Sequence, residues 1–120
     1  MKKVIAILLC MAVVLTFAAC AAKPAESASD LDYIKGKGTL VVGITDFEPM
    51  DYQNEAGEWI GFDADMAKAF AESLGVKAEF VEIDWDNKIM ELDAKTIDCV
   101  WNGMTLTDEV TSAMSCSNAY

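Results

Sequence analysis

Thr39 to Ile44 (TLVVGI) is a short apolar run rich in β-branched residues, introduced by Gly36 and Gly38. A run of this kind lacks the polar alternation of a half-wet strand, so it predicts a strand covered on both faces, as in a parallel sheet between helices. The segments after it fit that frame. From Phe62 to Leu74 the apolar residues Phe62, Met66, Phe70 and Leu74 recur every four, Asp63 and Asp65 stand in the first turn, and Gly75 follows the end. This predicts an amphipathic helix whose core face is that stripe. Val76 to Ile83 then alternates as a second strand, and Ile97 to Trp101 reads as a third. Strands alternating with helices predict an α/β lobe with a mostly parallel sheet flanked by helices.

The connections carry their own signals. Pro49 excludes a helix over 46–52, and Asn54-Glu55-Ala56-Gly57 is a turn between two short extended pieces, so a hairpin is expected. Asp84 or Asp86 can cap a helix running to about Ala94, Thr107 can cap a short helical turn, and Met114 to Cys116 is a candidate fourth strand. In open α/β sheets, ligands bind at the carboxyl ends of the strands. Those ends are Thr45 to Met50, Asp84 to Trp85, and Asn102 to Thr105.

The first residues have a different character. Lys2 and Lys3 precede an apolar run from Val4 to Phe17, and Ala18 and Ala19 lead into Cys20. This is the layout of an export signal over residues 1–19, and the small residues before Cys20 resemble a bacterial lipobox, which makes Cys20 the expected lipid anchor. Phe17 departs from the leucine usual in that motif. Ala21 to Asp30 (AAKPAESASD) is small and polar with no periodic apolar face, and the tether is expected to extend over 20–37, with the folded lobe from 38 to 120. Removing Lys2 and Lys3 with the signal takes the net charge from −11 to −13, with 20 Asp and Glu in the remainder. Such a surface repels a phosphate backbone, so nucleic acid is excluded as a partner. The chain contains no His and no Arg. It therefore lacks the usual imidazole base, the commonest metal ligand and the forked carboxylate binder. With acids scattered and no closely spaced Cys pair, neither a metal nor a cofactor is expected.

Four stretches, taken together, resemble the bacterial extracellular solute-binding proteins of family 3, the polar amino-acid receptors of ABC importers. They are GTLVVGITDFEPM, GEWIGFDADMAKAFAESLGV, DWDNKIMELDAKTIDCVWNGMTLTDE and SCSNAY, and they span Gly38 to Tyr120. The resemblance implies one lobe of a two-lobed, hinged protein, so the chain reads as an N-terminal fragment with the second lobe absent. It also implies an extracytoplasmic, membrane-tethered monomer that traps a small solute without chemistry and delivers it to a membrane permease.

For the site, the resemblance implies that Phe47 packs on the ligand and that Asp46 meets an ammonium group. Trp85 forms the opposite wall. Asn102, Gly103, Met104 and Thr105 hold the head group of an amino acid. A core role for Phe47 or Trp85 and a solvated turn for Asp46 are the plainer alternatives. Many relatives carry an arginine where this chain has Val110. A ligand carboxylate would then fall to backbone amides near Thr107 or to Lys88, or the ligand lacks one. Cys99 and Cys116 could form a disulfide in an oxidising compartment. The same resemblance admits a sensor or receptor ectodomain and, less directly, a dehydratase-like enzyme using Asp46, Glu48 or Asp84.

Overall fold

The computed structural model describes residues 29–120; the expected signal, Cys20 and the first part of the tether lie outside the described residues. The lobe opens with α1 (Asp30–Lys37), β1 (Thr39–Ile44), the hairpin strands β2 (Tyr52–Gln53) and β3 (Trp59–Ile60), and α2 (Phe62–Ser73). There follow β4 (Lys77–Glu82), a 3-10 turn over Trp85–Asn87, α3 (Lys88–Asp93), β5 (Cys99–Val100) and α4 (Asp108–Ala113). The main sheet has the order β4-β1-β5 with every pairing parallel, and β2 and β3 form a separate antiparallel pair. The apolar run that opened the sequence is the central strand. Leu40, Val42 and Ile44 are all fully buried in it.

Helix α2 packs on this sheet with a face other than the one its large residues predict. The buried positions are Ala64, Ala67 and Ala71, while Phe62, Met66 and Phe70 remain 53%, 46% and 46% exposed. Leu40, Val42, Ala67, Ala71 and Val76 make the core, and Leu74, Phe80 and Trp101 pack at its margin. Small residues let the helix backbone approach the sheet closely, which turns the bulky stripe sideways. Phe70 meets Trp101 with ring centroids 5.7 Å apart, and Phe62 meets Tyr120 at 6.2 Å.

Three other expectations need correction. Residues 30–37 are helical rather than part of a tether, because Ser29 accepts a hydrogen bond from the Asp32 N–H and acidic and basic residues occupy the first and last turns as the helix dipole favours. The third strand is confined to Cys99–Val100, although Asp98 N–H and Trp101 N–H still donate to Val41 and Gly43 carbonyls on either side of it. The fourth strand does not form: Met114 is extended but finds no pairing partner among the described residues. The caps at Asp84 and Thr107 fall where the sequence put them, each side chain accepting a backbone N–H of the turn it opens.

Asp98 fastens the lobe's amino-terminal edge. Its Oδ2 accepts from Lys37 Nζ at 2.6 Å and from the Val41 N–H at 2.7 Å, joining α1, β1 and the start of β5.

Candidate functional site

The carboxyl ends of β1 and β5 and the turn after β4 converge. Asn102, immediately past β5, donates from Nδ2 to Thr45 Oγ1 at 2.6 Å, which ties the loop after β5 to the loop after β1. The Asn102 Oδ1 is buried without a partner among the described residues. Phe47 stands at the base of a tight turn over 48–50, where its N–H donates to Asp51 O at 2.6 Å and the Asp51 N–H returns to Phe47 O at 3.0 Å. Its ring, 52% exposed, lies over Gly103. A Cβ at position 103 would stand 2.7 Å from the ring edge, so only a bare α-carbon permits this stacking.

Trp85, Lys88, Gly103, Met104, Thr105, Thr107, Glu109 and Val110 line a half-open cavity of about 230 Å³. Four of the seven expected ligand-binding residues thus share one wall or floor. Phe47 overhangs that cavity's Gly103, Asn102 braces it from behind, and Asp46 is exposed and outside the lining. Lys88 Nζ donates to the Trp85 carbonyl at 3.1 Å and lies 4.7 Å from the centre of the Trp85 ring. Thr107 and Glu109 enter the lining because Thr107 starts α4 at the cavity's rim; the sequence marked the cap but not its place. A larger surface hollow of about 600 Å³ lies between Trp59, Lys68 and Phe80, on the flank of α2 and β4 rather than at strand ends. Its position gives it no part of the convergent loops, so the smaller cavity is the candidate site.

Below the Phe47 loop lies a feature the sequence did not announce. Asp51 and Asp63 are both buried, Tyr120 Oη donates to Asp63 Oδ1 at 2.6 Å, and Trp101 Nε1 donates to Tyr120 Oη at 3.0 Å. Burial, and then the neighbouring Asp63 charge, push the Asp51 carboxyl up to about 7, against a weaker pull from the Ala64 N–H. The loop is clamped to the start of α2 by Asp63 N–H donating to Met50 O at 2.9 Å. Gly61 makes the clamp feasible: its φ is 115°, and a Cβ there would sit 2.4 Å from the Met50 carbonyl oxygen.

Cys99 and Cys116, for which a disulfide was one possibility, are both free thiols in this structure. Cys116 is exposed in the irregular stretch after α4, where its Sγ is near the Met114 carbonyl, whereas Cys99 belongs to β5. Burial and the adjacent Asp98 push the Cys99 thiol up to about 12, so it carries no thiolate at neutral pH. Among the described residues no group of three or more Asp, Glu or Cys is placed to hold a metal ion, and no helix is long and apolar enough to cross a membrane.

A parallel α/β lobe with a cavity at its strand ends has the architecture in which open α/β sheets place ligand sites. Comparison makes this specific: residues 40–120 match the bacterial extracellular solute-binding proteins, family 3, and the chain belongs to that family. Membership places it among extracytoplasmic proteins. It is 38% identical over 80 residues to the L-cystine-binding protein TcyJ of Escherichia coli, covering 66% of this chain and 30% of that one. It is 34% identical over 115 residues to the arginine-binding extracellular protein ArtP of Bacillus subtilis, covering 95% and 43% respectively. The chain therefore spans less than half the length of these relatives. The crystal structure of an arginine-bound point variant of domain 1 from TmArgBP superimposes with a TM-score of 0.71 at 41% identity, covering 75% of this chain and 70% of that domain.

Proposed function

We propose that this chain is the first lobe of the substrate-binding component of an ABC importer, capturing an amino acid at the 230 Å³ cavity and delivering it to a membrane permease. The observation that carries the reading is the convergence of Trp85 with Gly103, Met104 and Thr105 on one cavity at the strand carboxyl ends, under the Phe47 ring. Aromatic faces supply apolar cover, and the Thr105 hydroxyl and nearby backbone groups supply the polar contacts that orient a small solute. Amino-acid-binding names among the relatives support the ligand class. A second lobe would complete the cleft, and lipid on Cys20 would hold the protein to the outer face of the membrane as a monomer.

Calorimetry of the native full-length product against the common L-amino acids tests this. Trp85→Ala or Thr105→Ala is expected to weaken the tightest binder more than about tenfold while leaving thermal unfolding nearly unchanged. Unchanged affinity in both variants would remove these residues from the site. An enzymatic reading is favoured by the likeness to a cyclohexadienyl dehydratase of Pseudomonas aeruginosa, which is 38% identical over 82 residues. Recovery of every bound solute chemically intact after prolonged incubation supports binding alone; consumption of a solute supports the enzyme.

A further inference from the structure

Charge in the candidate cavity is sparse. Among the described residues lining it, Lys88 is the one cation and Glu109 the one anion, and the chain offers no arginine or histidine to add a second positive group. Val110, which faces the same cavity, is 5% exposed and purely apolar, so that wall can bind no anion through its side chain.

Lys88 is held rather than free. It is half-buried at the first position of α3, its ammonium donates one hydrogen bond to the Trp85 carbonyl, and the Trp85 ring lies under it at 4.7 Å. A lysine has three N–H donors. One is spent on the carbonyl, which leaves two for a ligand at the edge of an aromatic wall. Both contacts restrain a side chain that would otherwise lose more rotamer freedom on fixing an anion.

We propose that Lys88 is the specificity-determining residue that takes the carboxylate of the bound solute, and that it does so as a point charge rather than as a planar fork. This rests on the cavity being the amino-acid site. The chemistry has a consequence for ligand choice. An ammonium does not impose the planar, two-bond geometry of a guanidinium, so a tetrahedral sulfonate in place of the carboxylate is tolerated, whereas a neutral carboxamide is rejected.

The experiment uses the native full-length protein, the tightest-binding of the common L-amino acids, and the α-carboxamide and α-sulfonate counterparts of that amino acid. In the wild type, calorimetry is expected to favour the carboxylate over the carboxamide by about 30-fold and to place the sulfonate within about tenfold of the carboxylate. Lys88→Met, with Lys88→Gln as a polar second variant, is expected to weaken the carboxylate about 30-fold while leaving the carboxamide within about threefold. That unchanged carboxamide affinity shows the cavity still intact. If both variants keep the preference for carboxylate over carboxamide, the assignment of Lys88 is overturned and the amino-acid reading stands. If the wild type binds no amino acid, the reading beneath the proposal falls, and the assignment with it.

Discussion

Replacing Asp51 by Asn isolates the energetic consequence of the buried carboxylate pair. Asp51 is fully buried, and neither of its carboxylate oxygens finds a hydrogen-bond partner among the described residues. Its carboxyl ordinarily titrates at 3.8 and here is raised to about 7, first by burial and second by Asp63. The folded state therefore binds a proton more tightly than the unfolded chain. Stability from this group is fully present below pH ~4, falls across the interval up to about pH 7 and is lost above it. At 1.36 kcal/mol per pH unit, the whole interval is worth on the order of 4 kcal/mol. Asn keeps the shape and cannot ionise. Its amide adds an offset that does not vary with pH, so the informative quantity is how the gap between the two proteins changes with pH. Urea unfolding of the full-length protein, followed through Trp59, Trp85 and Trp101, is expected to show that gap moving by about 3 kcal/mol in favour of the Asp51→Asn variant between pH ~4 and pH ~8. A gap that stays constant to within about 0.5 kcal/mol would refute the argument that Asp51 is the group being penalised.

Gly61→Ala is expected to cost about 3 kcal/mol or more, because a Cβ at φ 115° would collide with the Met50 and Pro49 carbonyls; thermal unfolding reads the loss directly. Asp98→Ala should cost about 2–3 kcal/mol by leaving the Val41 N–H unpaired, while Lys37→Met should cost less than about 1 kcal/mol, since that end of the ion pair is wet. Equal losses in the two variants would show that the ion pair, not the strand amide, carries the contact. Cys20→Ala is expected to move the protein from the detergent-extracted membrane fraction to the soluble extracytoplasmic fraction, and an unchanged distribution would dismiss the lipid anchor.

The sequence displayed the strands more clearly than the helix packing. Thr39 to Ile44 could be read as a buried strand because its run is apolar on both faces; that it is also the central strand, with Val42 paired to Phe80 on one edge and to Cys99 on the other, follows from the fold and not from the run itself. The turn signals at Gly57 and Gly75 and the caps at Asp84 and Thr107 were equally legible, because each is a local demand of the backbone. Helix α2 misled for a clear reason: hydrophobic periodicity weighs residues by size, whereas close approach to a sheet selects smallness, and two stripes compete on the same helix. At the candidate site, Trp85 and 103–105, which the family resemblance singled out, share one cavity lining at the strand ends. Asp46 is exposed and outside the cavity lining, the solvated turn that was the plainer alternative for it. Asp51 and Asp63 escaped notice altogether, as nothing local distinguishes a buried carboxylate from the many solvated ones in so acidic a chain.

The contact between Phe47 and Gly103 has a mechanical meaning. A Cβ at position 103 would stand 2.7 Å from the ring edge, so the ring fills the space that a side chain there would need. Phe47 has support beneath it and solvent around it. Its own N–H and C=O are paired with Asp51, and Met50 is tied to Asp63, so the backbone that carries the ring is pinned. Any side chain at position 103 must therefore displace the ring itself, because the backbone beneath the ring cannot yield.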